Sequence, residues 1–154
     1  MTSPRTLVID TNIVLDCFVF ADDGAQPVRE GLEDGSLQWL ATAAMRQELE
    51  RVLAYPKLVP RLAYYGLAAA DVLARFDRHA QMVEAPARAA VRCSDADDQM
   101  FVDLAVLHRA TLLSKDAAVL ALTKRLATLN VQTATVLSPE RGGGAQCAST
   151  LEIP

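Results

Sequence analysis

The chain has 154 residues, half of them hydrophobic and only 5% aromatic, with a formal net charge of −4. That is the size of one ordinary domain with a core built mostly of Leu, Val and Ala, and no apolar run is long enough to cross a bilayer. The mild acidity lacks the basic footprint that nucleic-acid binders usually carry, although acids that hold cations count as negative in such a sum without acting so locally.

In chain order, Leu7 to Ile9 form an unbroken apolar run typical of a buried parallel strand. It runs into Asp10-Thr11-Asn12, where Thr11 or Asn12 can cap a short helix carrying Ile13, Val14 and Cys17. Residues 21–25 break that helix. Pro27 opens a second helix, which Gly35 stops. Leu37 to Ala41 reads as a strand, and Thr42 as the cap of a helix reaching about Tyr55, before Pro56. Lys57 to Tyr65 and Ala68 to His79 read as two helices separated by Gly66. Gln81 to Ala85 is a short strand, and Pro86 to Cys93 a connection. Ser94 is the expected cap of a helix ending near Arg109. Thr111 to Leu113 is a strand, Lys115 to Leu126 a helix, and the β-branched run Val131 to Val136 the last strand. From residue 140 the composition turns to glycine and small polar residues, as in a flexible tail. Strands alternating with helices predict an α/β fold, a parallel sheet with helices on both faces.

Arg5 precedes only a short apolar run, so the N-terminus does not read as a signal peptide. Cys17, Cys93 and Cys147 are odd in number and widely spaced, which suits a reducing compartment, and a cytoplasmic protein is expected. No Cys–His spacing suggests zinc. His79 and His108 each lie alone in a helical pattern and read as helix residues rather than ligands or bases.

The acids are more informative. Asp10 alone reads as a cap or turn former. In the helix after Thr42, Met45, Leu49, Val52 and Leu53 define the buried stripe; Glu48 lies at its edge, whereas Glu50 points to solvent. Asp95, Asp97 and Asp98 fall in the first turn of a strongly apolar helix, where the free N–H groups favour acids. The helical wheel does not choose between Asp97 and Asp98. Leu112-Leu113-Ser114-Lys115-Asp116 repeats the opening pattern of an apolar strand running to a hydroxyl and an acid. Such a set of hard oxygen donors suits Mg²⁺ or Mn²⁺. The chain has no adjacent Ser–His–Asp pairing and no phosphate loop.

Several motifs together resemble the PIN-domain family of metal-dependent ribonucleases: Val8-Ile9-Asp10-Thr11-Asn12; Arg46-Gln47-Glu48-Leu49 with the following Val52 to Lys57; Asp95 to Ala105; Leu113-Ser114-Lys115-Asp116; and Val136-Leu137-Ser138-Pro139. Within that family the chain looks most similar to the toxin components of bacterial toxin–antitoxin systems. The resemblance implies a three-layer α/β/α domain over residues 1–139, with a mostly parallel sheet of four to five strands, and a tail over 140–154. It implies catalytic, metal-holding acids at Asp10, Glu48, Asp98 and Asp116, with Asp98 preferred over Asp97 because Phe101 and Ala105 match the family pattern. Asp95 and Asp97 become secondary ligands, and Thr11, Asn12 and Ser114 supporting residues. The implied activity is hydrolysis of single-stranded RNA with one or two Mg²⁺ or Mn²⁺ ions, with a protein antitoxin and a homo-oligomer as further expected partners. Arg46, Lys57, Arg61 and Lys115 are candidate phosphate contacts. Lys115 departs from the pattern, which often has Gly there.

Two other readings compete. A Mg²⁺-dependent phosphatase would want Asp-x-Asp after the first strand, and Asn12 occupies the second of those positions. A non-catalytic domain of the same fold would bind RNA or a partner without cutting, and the presence of all four acids counts against it.

Overall fold

The computed structural model describes residues 4–137. The expected tail, Cys147 and the closing Ser138-Pro139 lie outside the described residues. Five parallel strands, β1 (Arg5–Ile9), β2 (Leu37–Ala41), β3 (Ala80–Met82), β4 (Thr111–Leu113) and β5 (Thr133–Ala134), form one sheet in the order β3-β2-β1-β4-β5. Leu7 pairs with both Trp39 and Thr111, so β1 is the central strand. Leu7, Val8, Ile9, Leu112 and Leu113 are almost wholly buried, as their uninterrupted apolar sequence requires of strands covered on both faces.

The helices are α1 (Thr11–Phe18), α2 (Gln26–Asp34), α3 (Ala43–Leu53), α4 (Val59–Tyr64), α5 (Ala69–His79), α6 (Gln99–His108), α7 (Ala117–Leu120) and α8 (Thr123–Ala127). From β1 the chain steps outward to β2 and β3, then returns past β1 to β4 and β5. Right-handed crossovers therefore put α1 to α5 on one face and α6 to α8 on the other. The reversal falls between β1 and β4, and the crevice at the carboxyl ends of those two strands is where such sheets bind ligands.

Local chemistry explains most boundaries. Thr42 caps α3, its hydroxyl accepting from Met45 N at 3.4 Å. Gly35 ends α2 at φ 82°, a left-handed conformation that side chains resist. Trp39, Phe76, Phe18 and His79 stack into an aromatic group under α5, with Trp39 and Phe76 edge to face at 4.9 Å. His79 is thus a packed helix residue, 3.3 Å from Glu33.

Several boundaries differ from expectation, among them β3, expected over Gln81 to Ala85 and found at Ala80–Met82. The cap of α1 is Asp10 itself, accepting from Asn12 N at 3.3 Å, rather than Thr11 or Asn12. Asp95, not Ser94, accepts from Asp97 N and caps a single 3₁₀ turn, Ala96–Asp98, that leads into α6. The helix expected over Lys115 to Leu126 starts after Asp116 and divides into α7 and α8. The Thr123 hydroxyl takes the Leu120 carbonyl at 2.7 Å at that division. The last strand keeps only Thr133–Ala134 of the expected run.

The connection from β3 to α6 is irregular yet held. Gln99 Nε2 donates to Val91 O (2.9 Å) and Asp103 Oδ1 (2.8 Å), while Gln99 Oε1 accepts from Cys93 N (2.6 Å). Asp103 Oδ1 also accepts from Ala89 N at 2.8 Å. Two polar side chains of α6 thus satisfy the backbone of the segment leading to Asp95.

Candidate metal centre

The carboxyl ends of β1 and β4 lie side by side, because Asp10 N donates to Leu113 O at 2.9 Å and continues the ladder one residue past the strands. Asp10 and Ser114 therefore face each other across 104 positions of sequence, and the Ser114 hydroxyl donates to Asp10 Oδ2 at 2.5 Å. Ser114 Oγ in turn accepts from Asp116 N at 3.0 Å, and Asp116 caps α7 by accepting from Ala118 N at 2.8 Å. From the opposite side, α3 presents Glu48, whose Oε1 accepts from Thr11 Oγ1 at 2.9 Å. Glu50 is exposed. The 3₁₀ turn before α6 brings in Asp95, Asp97 and Asp98.

These acids are not equivalent. One carboxylate oxygen from each of Asp95, Asp98 and Asp116 lies within 4.8 Å of the other two. Asp10 and Glu48 border that set, each held by a hydroxyl. Asp97 is exposed and Asp98 buried, a difference the helical wheel left open. The buried Asp98 Oδ2 has no hydrogen-bond partner in the protein.

Burial and repulsion hold three of these acids, Asp98, Asp10 and Glu48, toward their neutral forms. Asp98 is pushed up to about 8, first by burial, then by the adjoining Asp116 side chain, toward which its protonated form can donate, and by the charges of Asp10, Asp116 and Asp95. Burial raises Asp10 as well, opposed by the hydrogen bonds from Ser114 and Asn12. Glu48 is raised by burial and by the charges of Asp10 and Asp97, against the hydrogen bond from Thr11 and the charge of Arg51.

A divalent cation fits this arrangement. Three hard oxygen donors converge, and one of the three acids, Asp98, has a buried carboxylate oxygen without a hydrogen-bond partner in the protein. Thr11 and Ser114 each fix an acid. Asn12 contributes its backbone N–H, its side chain being exposed. The four candidate phosphate contacts are dispersed. Arg46 is committed to Asp77 by two hydrogen bonds of 2.7 and 2.8 Å, and Arg61 lies over the Phe20 ring, 4.1 Å from its centroid. Lys57 is exposed, and Lys115 reaches Asp16 on α1 at 2.7 Å. Sequence reasoning overlooked Asp16, whose one signal is its position four residues after Asn12, on the same helix face. It also overlooked Arg51, one helical turn beyond Glu48.

No curated protein matches the sequence. Among solved structures the fold is similar to the VapBC2 crystal structure from Rickettsia felis bound to a DNA fragment from their promoter. The TM-score is 0.56 at 14% identity, over 84% of this chain and 98% of that one. The sequence profile of the PIN domain matches residues 6–118, a span that contains every acid of the cluster. The chain belongs to the PIN-domain family.

Proposed function

We propose that this protein is a divalent-metal-dependent endoribonuclease that hydrolyses phosphodiesters of single-stranded RNA, acting as the toxin of a toxin–antitoxin pair. One observation carries the reading. Asp95, Asp98 and Asp116 converge beyond the carboxyl ends of β1 and β4, Asp10 and Glu48 border them, and Asp98 has a buried carboxylate oxygen without a protein partner. Membership of the PIN-domain family and the fold likeness to a VapBC complex support it.

Asp95, Asp98 and Asp116 would hold Mg²⁺ or Mn²⁺, with Asp10 and Glu48 completing the ring. When bound, such an ion supplies an activated water and offsets charge on the phosphate. The protein's own part is positioning. Ser114 fixes the Asp10 carboxylate, and Thr11 fixes Glu48. The α1 N-terminus, capped by Asp10, is anchored to the sheet through the Leu113 carbonyl. No side-chain nucleophile is needed. The Cys17 thiol is buried and pushed up to about 12, and both Asp10 oxygens already accept hydrogen bonds. Asn12, where an Asp-x-Asp phosphatase carries its second acid, is what counts against a phospho-aspartyl phosphatase.

The test is incubation of purified protein with single-stranded RNA in Mn²⁺ and in EDTA, beside Asp98→Asn. The reading expects cleavage by the wild type alone, and only with metal. Equal cleavage by both proteins would point to contamination, and no cleavage of any RNA would favour a binding domain. Affinity capture of a co-encoded small protein from the native host tests the antitoxin.

A further inference from the structure

Lys115 stands between Ser114 and Asp116, two residues whose side chains line the acid cluster. An ammonium there has an obvious electrostatic destination, the carboxylates of Asp95, Asp98 and Asp116. It does not go there. Its Nζ lies 2.7 Å from Asp16 Oδ2, and among the described residues it forms no other ion pair. Asp16 belongs to α1, the helix whose first residues carry Thr11 and Asn12. Its side chain is 13% exposed, against 49% for Lys115. The backbone of Asp16 is fixed as well, its carbonyl accepting from Asp22 N at 2.9 Å. A rigid, mostly buried acid thus holds the end of a flexible, half-exposed cation.

We infer that Asp16 is a positioning residue that keeps Lys115 out of the carboxylate cluster and at its rim, where the ammonium takes a phosphate of the bound RNA strand. The inference rests on the metal-dependent reading for the identity of the cluster's occupant. Two physical arguments carry it. First, an ammonium within the cluster would compete with a divalent cation for the same oxygens, and the Asp16 ion pair removes that competitor. Second, an ammonium has three donors, and one spent on Asp16 leaves two toward solvent beside the site. An ammonium binds phosphate as a point charge, without reading sequence.

Two measurements on the purified chain separate the parts. One is calorimetric titration of Mn²⁺ into metal-free protein. The other is fluorescence anisotropy of a labelled single-stranded RNA with Ca²⁺ present, the RNA being checked intact on a gel. Lys115→Ala should weaken RNA binding about tenfold and flatten its log–log salt dependence by about 0.7, one phosphate contact's worth. Its Mn²⁺ affinity should be undiminished, and Lys115→Arg should keep most of the RNA affinity. Asp16→Asn should weaken Mn²⁺ binding, because the released ammonium falls onto the acids. Adding Lys115→Ala to Asp16→Asn should restore Mn²⁺ affinity, a rescue that no general loss of structure can imitate.

Unchanged RNA affinity in Lys115→Ala overturns the phosphate contact. Unchanged Mn²⁺ affinity in Asp16→Asn, or no rescue in the double variant, overturns the positioning role. If the variants show all the expected shifts and the wild type cuts no RNA, the ribonuclease reading sinks and this one stands. A wild type that cuts RNA while both single variants bind Mn²⁺ and RNA as it does sinks this one alone.

Discussion

Ser114 and Asp10 are 104 positions apart in sequence and share a 2.5 Å hydrogen bond between the ends of adjacent central strands. The Ser114 side chain is fully buried, and its oxygen also accepts from Asp116 N. A single hydroxyl therefore sets the place of two acids. Ser114→Ala leaves a buried carboxylate oxygen without its donor and a backbone N–H without its acceptor. The expected loss of stability is about 1–3 kcal/mol, read from urea unfolding of metal-free protein. Mn²⁺ affinity should fall about tenfold or more, as when other groups that orient metal ligands are removed. An Ala variant that binds Mn²⁺ like the wild type would show that the hydroxyl orients nothing.

Asp98→Asn separates stability from activity. In the metal-free protein Asp98 is buried among acids and its Oδ2 is unpartnered. Asparagine keeps the shape, removes the charge and adds a donor toward Asp116. Without metal, the Asp98→Asn variant should melt several degrees above the wild type at pH 8, while Mn²⁺ no longer raises its melting temperature and RNA cleavage is abolished. A lower melting temperature in EDTA would mean that the neighbouring acids do not strain the site.

Much of this arrangement is legible in the sequence, and what escapes it has identifiable causes. β2 and β4 fall on the residues expected because an apolar run bounded by turn or cap residues leaves little choice. The end of β4 just before Ser114 and the inward edge position of Glu48 follow from the same patterns. Asp98 over Asp97 does not, because the wheel assumes a continuous helix whereas both residues sit in a 3₁₀ turn ahead of α6. The grouping of Asp95 with Asp98 and Asp116 escapes the wheel too, since a tighter turn precedes α6 there and no helical spacing describes it. The division of α7 from α8 and the shrinking of β5 are tertiary outcomes that local propensity does not encode. The Lys115–Asp16 pair joins two elements that sequence separation conceals.

The metal-free protein should lose stability as pH rises through neutrality. For Asp98 the folded-state value of about 8 lies above the ordinary 3.8, so the folded state binds the extra proton. Its contribution is fully present below about pH 4 and is lost as pH climbs through about 8. Asp10 and Glu48, both raised, act in the same direction. Melting temperatures in EDTA should therefore decline across that window, apart from the general acid denaturation at its lower end. Because a cation displaces the protons, the stabilisation by Mn²⁺ should grow over the same range. A Mn²⁺ effect that is flat from pH 5 to 8 would contradict the proton-holding cluster.

Asp95→Asn and Asp97→Asn should behave differently, although both residues are exposed and lie in one turn. Asp95 supplies an oxygen to the converging set with Asp98 and Asp116, and it also caps the turn by accepting from Asp97 N at 3.0 Å. Asparagine preserves the cap, since its side-chain oxygen can accept the same bond, so the folded turn should persist and only the charge toward a cation is lost. Asp97 acts on Glu48 through its charge and lies outside the set. Calorimetry should show Mn²⁺ binding weakened about tenfold in Asp95→Asn, the order of one lost charged contact, and by a smaller factor in Asp97→Asn. Melting temperatures in EDTA should be at or slightly above the wild type's in both, since each substitution removes a charge that repels a neighbouring acid. The reverse ranking would move the candidate centre toward Glu48 and Asp10.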